Sequence, residues 1–193
     1  MTTDEIKTQL EQSLPELRLK KVRDSLLVEN PDDLIKAAEF LKNTSSLKMD
    51  FLSSVTGADY LTYLETVYHF YSTELKTGPV TLRVRAKREA PRVPSLTPLY
   101  RSAELQEREA YDMFGIIFEG HPDLRRLFMW DQFEGWPLRK DYEQEDSDVL
   151  ESADVAWLDQ NNIPVPEKLR AIAAELKSQG KRASAARPSQ NES

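Results

Sequence analysis

A chain of 193 residues, 39% hydrophobic and 31% charged, has length for one domain with a proper core plus extensions, and a second full domain is not expected. Its formal net charge of -7 argues against broad binding of nucleic acid or anionic lipid, because both need an excess of Lys and Arg to neutralise phosphate. It has no cysteine and only two histidines, which excludes disulfides, iron-sulfur ligation and Cys-type zinc sites and leaves no His pair at metal-ligand spacing.

The opening residues, MTTDEIKTQLEQS, lack the basic start and apolar core of a secretory signal, and no apolar run approaches the ~18 residues of a membrane span. The expected location is therefore the cytosol or the periphery of a membrane. Thr2, Thr3 and Asp4 can cap a first helix whose stripe is Ile6, Leu10 and Leu14, closed by Pro15. Leu17, Leu19 and Val22, then Leu26-Leu27-Val28, read as two short strands joined through Arg23-Asp24-Ser25. Asn30 and Pro31 start a second helix carrying Leu34, Ile35, Ala38 and Leu41 and ending near Asn43.

From Met49 to Lys87 the period falls to about two. Strands are predicted over Met49 to Thr56, Leu61 to Tyr71 and Val80 to Lys87, with Thr77-Gly78-Pro79 as the turn between the last two. Pro91, Pro94 and Pro98 punctuate the exit from the sheet. Thr97 and Pro98 then open a third helix, which Gly115 closes. Leu99, Ala103, Ala110 and Phe114 make its apolar stripe, and Glu104, Arg108 and Asp112 stand four apart as an ion ladder. The fold class is α+β, two layers, with helices on a mixed, mostly antiparallel five-stranded sheet, followed by a long irregular arm and a C-terminal helix. The predicted parts are a core over 1–115, an arm and acidic segment over 116–160, a helix over 161–178 opened by Pro166, and a disordered tail over 179–193.

The arm is the feature that demands a function. Residues 107 to 142 are dense in Arg, acid and aromatic residues, and after Gly115 they show neither helical nor strand periodicity. So long a stretch without regular structure is usually functional or disordered. With Phe114, Phe118, Phe128, Trp130, Phe133 and Trp136 among its side chains, it holds too much apolar surface to leave in water. It must bury against its own domain or against a partner, and Arg among Trp, Tyr, Phe and Met favours a partner.

Catalytic readings fare worse. Glu107 and Glu109 lie about 200° apart on a helix and cannot share a proton site; they are expected to reach neighbouring loops. His121 and Asp123 have no nucleophile-type turn beside them. The chain contains no GxGxxG, GxxxxGK[ST] or GxSxG. No catalytic, cofactor-binding or metal-ligating residue is assigned.

The residues Glu107-Arg108-Glu109, Tyr111-Asp112-Met113-Phe114-Gly115, His121-Pro122-Asp123-Leu124-Arg125-Arg126 and Gly135-Trp136-Pro137-Leu138-Arg139-Lys140-Asp141-Tyr142, in that order, resemble the signature region of the 30 kDa subunit family (the C-type subunits) of NADH-quinone oxidoreductase, respiratory complex I. The likeness extends more weakly to about residue 48, through Thr66 to Phe70 and Pro91 to Leu96. Two positions depart from the commonest pattern: Trp136 stands where many bacterial members have His, and Leu105-Gln106 where an aromatic pair often precedes the motif. Trp136 is similar to the cyanobacterial and plastid branch and to some other bacteria, and Leu105-Gln106 is similar to that same branch.

The resemblance implies a component without redox centre in the peripheral arm of a proton-translocating enzyme, on the cytoplasmic side of the cell membrane and without a membrane span of its own. It implies that the chain clamps the quinone-site (D-type) subunit, neighbours the cluster-bearing (B-type) subunit, and leaves FMN and iron-sulfur clusters to its partners. The alternative is the same module in a related plastoquinone-, F420- or hydrogenase-type membrane complex. The partner-interface residues expected are Glu107, Arg108, Glu109, Asp112, His121, Pro122, Leu124, Arg125, Arg126, Trp136, Pro137, Leu138, Arg139, Lys140, Asp141 and Tyr142.

Overall fold

The computed structural model describes residues 2–130 and 133–142, and beyond these scattered positions between 155 and 174. The chain divides into two units, Met1–Tyr142 and Glu143–Ser193, so the arm up to Tyr142 belongs with the first. The predicted acidic segment, last helix and tail fall wholly or largely outside the described residues. In the second unit Arg170 pairs with Asp159.

In the first unit helix α1, Thr3–Ser13, begins at a reciprocal cap in which Thr2 and Glu5 satisfy each other's backbone N–H, and it buries Ile6 and Leu10. Strands β1, Leu19–Val22, and β2, Ser25–Val28, form the expected antiparallel hairpin. Asn30 caps as predicted, but the turn it starts, Pro31–Asp33, is a tight three-residue one, and α2 follows over Leu34–Asn43. The Asp33 N–H reaches the Asn30 carbonyl, an i to i+3 bond that tightens this turn ahead of the helix.

Strands β3, Phe51–Asp59, β4, Tyr63–Ser72, and β5, Thr77–Lys87, complete a sheet of order β1-β2-β5-β4-β3. Within it only the β2–β5 pair is parallel, so the sheet is mixed and mostly antiparallel, as expected. The predicted turn at Thr77-Gly78-Pro79 is a correction: these residues open β5. Reversal happens just before, where Ser72 Oγ accepts the Leu75 N–H at 3.1 Å and Lys76 adopts φ 53°. Gly78 and Pro79 fall in the register shift between the Phe70↔Val80 and Ser72↔Thr77 pairs, a place where a strand tolerates a residue without N–H.

Helix α3 runs over Ala103–Phe114 and not from Thr97. The Thr97 N–H is taken by Ser95 Oγ, and Leu99 and Tyr100 turn back onto the Leu96 carbonyl, so residues 97 to 102 form turns. One further pair has no counterpart among the sequence-based expectations. Strand β6, Arg92–Pro94, lies parallel to β7, Ile117–Glu119; three residues are too few to show a period.

Helices α1, α2 and α3 share one buried cluster with the side of the sheet that carries Leu26, Val28, Leu64, Tyr68, Phe70, Leu82 and Val84. α3 also finishes the outer edge of β3. Gln106 Oε1 accepts the Val55 N–H at 2.7 Å, and Ser102 Oγ donates to the Leu52 carbonyl at 2.8 Å. An edge capped in this way is closed to strand addition. At the far end of α3 the Phe114 ring lies on Gly57, where any Cβ would collide with it.

Candidate functional site

The last two turns of α3 are a frame for the arm. Asp112 is fully buried. Its Oδ2 accepts the N–H groups of Leu127, Phe128 and Met129 at 2.9, 2.6 and 2.9 Å, and its Oδ1 accepts Arg126 Nη1 at 2.8 Å. Burial alone would raise the carboxyl, but these donors outweigh it and hold the group below its ordinary value. Arg126 spreads its fork further, donating to the carbonyls of Asp112, Phe133 and Gly135 at 3.2, 2.9 and 3.0 Å. Its guanidinium carbon lies 4.6 Å from the centre of the Trp136 ring.

The expected ladder Glu104-Arg108-Asp112 is therefore not formed. Arg108, nearly buried, donates instead to the carbonyls of Arg125 and Arg126 at 3.2 and 3.0 Å. The reason is an accounting of backbone groups: the arm brings N–H and C=O groups out of water against the helix, and each must be paired. Charge-assisted bonds to them are worth more than an exposed i,i+4 pair.

Where α3 ends, its open carbonyls are taken up by the returning arm. The Leu138 N–H reaches the Met113 carbonyl at 3.1 Å, and Arg139 Nε donates to the Phe114 carbonyl at 2.6 Å. Gly115 closes the helix in the left-handed conformation, φ 71°, and a Cβ there would run into the Trp136 indole. Gly115→Ala is expected to lose about 1–2 kcal/mol from the backbone conformation and about 1–3 kcal/mol more from overpacking. Urea denaturation of the full chain checks this, with a change in tryptophan emission as Trp136 leaves its seat.

The remaining expected residues divide. Glu107 is fully buried; its Oε2 accepts Ser95 Oγ at 2.6 Å and its Oε1 the Leu96 N–H at 2.7 Å. Thus it reaches a neighbouring loop, as expected, and lies beneath the surface of this unit. Glu109 is exposed. His121 is spoken for at both nitrogens: Nε2 donates to the Glu104 carbonyl at 2.9 Å and Nδ1 accepts the Asp123 N–H at 3.0 Å. The Asp123 carboxylate pairs with Arg125 at 2.9 Å, so no His-Asp relay forms. Pro122, Arg125, Leu138, Lys140 and Asp141 are exposed, while Leu124, Trp136, Pro137, Arg139 and Tyr142 are half-buried.

The arm thus packs on its own domain both through these polar groups and through Ile116 and Phe118, buried in the core cluster, and still leaves apolar surface outside. Phe128, Trp130 and Leu138 are 62%, 63% and 55% exposed. Trp130 meets Phe133 edge-on at 4.9 Å, and Phe133 stacks on Tyr142, so the aromatic surface is held in one geometry. Two members of the frame have no local signal in the sequence. Asp59, at the end of β3, accepts the Lys140 N–H at 2.8 Å from 81 residues away. Arg88 joins Asp59 to Asp141, at 2.5 Å to each, and keeps the Asp59 carboxyl well below the usual range. Among the described residues no cluster of His and acids could hold a metal ion.

Residues 27–148 match the family model described as respiratory-chain NADH dehydrogenase, 30 Kd subunit. A C-type subunit of the NADH-quinone oxidoreductase of Rhizobium meliloti is 48% identical over 118 residues, covering 58% of this chain and 62% of that protein. The combined C/D subunit of the NADH-quinone oxidoreductase of Phocaeicola vulgatus is 45% identical over 107 residues, 55% of this chain and 21% of that one. The chain thus spans less than two thirds of the length of either. Among solved structures, a chain of the archaeal membrane-bound sulfane sulfur reductase, a respiratory membrane complex, has the same fold: TM-score 0.56 at 24% identity, over 85% of this chain and 93% of that chain.

Proposed function

This chain belongs to the family of the 30 Kd subunit of respiratory-chain NADH dehydrogenase, and from that premise we propose that it is a non-redox component of an NADH-quinone oxidoreductase, docking through its arm onto the quinone-site subunit. The observation that carries the docking role is the triad Phe128, Trp130 and Leu138, exposed on a backbone that Asp112 and Arg108 hold near the first two and the Met113 carbonyl holds at Leu138. Large apolar side chains on a pre-ordered frame lose little entropy on binding. The combined C/D protein, in which a region similar to this chain makes up 21% of one polypeptide, supports a D-type subunit, the one holding the quinone site, as the neighbour.

In this reading the chain carries no catalytic centre and no cofactor. Electrons pass from NADH through FMN and iron-sulfur clusters of partners to quinone, and this subunit fixes the geometry of the site they reach. Its place is the peripheral arm, beside the cluster-bearing subunit, on the cytoplasmic side of the membrane.

The test is to tag the chain in its native host, solubilise membranes gently and identify what co-purifies. Recovery with quinone-site, cluster-bearing and flavin-bearing subunits supports the proposal; the same set without flavin subunits assigns another electron donor, and a chain recovered alone overturns it. Arg126→Ala and Arg139→Ala are each expected to lower the recovered complex, since each cut charge-assisted bond in a docked frame costs about 2 kcal/mol or more. Normal assembly and quinone reductase activity in both variants would remove these arginines from the docking role.

A further inference from the structure

The five-stranded sheet has a second face, and no described helix of the first unit covers it. Across it the register sets Ser54 beside His69, Thr56 beside Val67 and Ala58 beside Glu65, so the outermost strand presents small side chains over residues 54–58, beyond the exposed Phe51 at its start. Leu27 is the one buried hydrophobe here among the described residues, and it lies outside the core cluster. Glu65 is only 2% exposed. What covers it is the face itself: Arg83 Nη1 donates to its Oε1 at 2.7 Å and Arg85 Nε to its Oε2 at 3.1 Å. Arg85 lies over the Tyr63 ring, which stacks on Tyr60.

This is a platform of arginine and tyrosine around a strip of small side chains, on the side of the sheet opposite the core. Arg and Tyr are the residue types that anchor interfaces, and a strip of small side chains admits a helix as a second layer. Its charge is also distinctive. Arg83 and Arg85 stand over a single sunken acid and Lys87 shares their face, so the platform is positive in a chain whose net charge is -7. Arg85 keeps 44% of its side chain exposed while engaging Glu65. Complementary potential selects the sign of what binds.

We propose that this face is a second docking surface, apart from the arm, and that an acidic helix of a partner subunit lies across β3 and β4 on it. The proposal rests on the assembly reading only in needing a partner subunit. Positioning follows from the side chains: the helix backbone passes over Thr56 and Ala58, and its acids meet Arg83, Arg85 and Lys87.

The test separates the two surfaces. Thr56→p-benzoylphenylalanine and Trp130→p-benzoylphenylalanine are irradiated in intact cells of the native host, the full chain is recovered by a tag, and cross-linked peptides are sequenced by mass spectrometry. Position 56 is expected to capture a partner-subunit peptide with an excess of Asp and Glu, in a different stretch of sequence from that captured at 130. Arg85→Gln is expected to lower capture at 56 roughly tenfold, as one lost charge contact implies, and to leave capture at 130 unchanged. Capture at 130 with none at 56 overturns the second surface and spares the arm. So does capture at 56 of residues 143–193 of this chain, of a second copy, or of a peptide without acidic excess. Capture at 56 without capture at 130 sinks the arm's role instead.

Discussion

Asp112→Ala is expected to cost the folded chain about 3–5 kcal/mol, the loss typical of a buried ion pair cut on one side, and to release the arm from α3. The removed carboxylate leaves the Arg126 guanidinium with backbone carbonyls but without its counter-charge, and leaves three backbone N–H groups without their acceptor. An N–H turned out of water without a partner is itself costly, so the 127–129 backbone has no reason to stay against the helix. Asp112→Asn keeps the volume but replaces one acceptor by a donor facing donors, and is expected to lose most of the same stability.

The cycle with Arg126 distinguishes this from a simple packing defect. Because Arg126 is the other half of the buried pair, Asp112→Ala with Arg126→Ala should cost less than the two losses added. Additive losses would mean that the two side chains do not act together. The pH dependence has a definite sign: the folded carboxyl lies below 3.8, so its contribution is present above that value and disappears as the pH falls through the folded one. Urea midpoints measured with tryptophan emission follow both, since Trp136 stacks on Arg126.

Much of the fold could be read from periodicity. The alternation of Val80 to Lys87 marks a strand with one buried face, and the burial pattern of β5 repeats it. Where expectation and structure part, the deciding interaction is one that periodicity does not show, a side-chain bond within the turn in one place and a contact from far along the chain in others. Ser72 and Lys76 reverse the chain before Gly78-Pro79, a turn made by a side chain and one positive φ. Glu104, Arg108 and Asp112 have ladder spacing, yet the spacing says nothing of an arm arriving later with unpaired backbone. Asp59 looks like any strand-end acid until residues 140 and 141 come back to it. Motif order pointed to the signature residues of the arm, while which of them are frame and which are surface depended on tertiary contacts. Glu107, Arg108 and Asp112 proved buried, Leu138 and Lys140 exposed.

Glu107 carries the second large effect, and its sign is opposite to that of Asp112. Burial raises its carboxyl to about 7 from 4.5, although Ser95 Oγ and the Leu96 N–H favour the ionised form. A folded value above the unfolded one means that stability is fully present below pH 4.5 and is lost as the pH rises through about 7. The gap between the two values is worth about 3 kcal/mol. Protonated Glu107 can donate to Ser95 Oγ and still accept the Leu96 N–H, so both bonds survive in the neutral form. Glu107→Gln reproduces that form permanently, its amide oxygen taking the Leu96 N–H and its NH2 reaching Ser95 Oγ. The variant is expected to match or exceed the parent at pH 8 and to lose the slope between pH 5 and 8 that the parent shows. Glu107→Ala instead leaves the Leu96 N–H buried and unpaired and should lose about 1–3 kcal/mol at every pH. Parallel stability curves for parent and Gln variant across that range would show that Glu107 titrates as an ordinary carboxylate, and that the loop from Ser95 to Thr97 is seated on a charge the fold tolerates without cost.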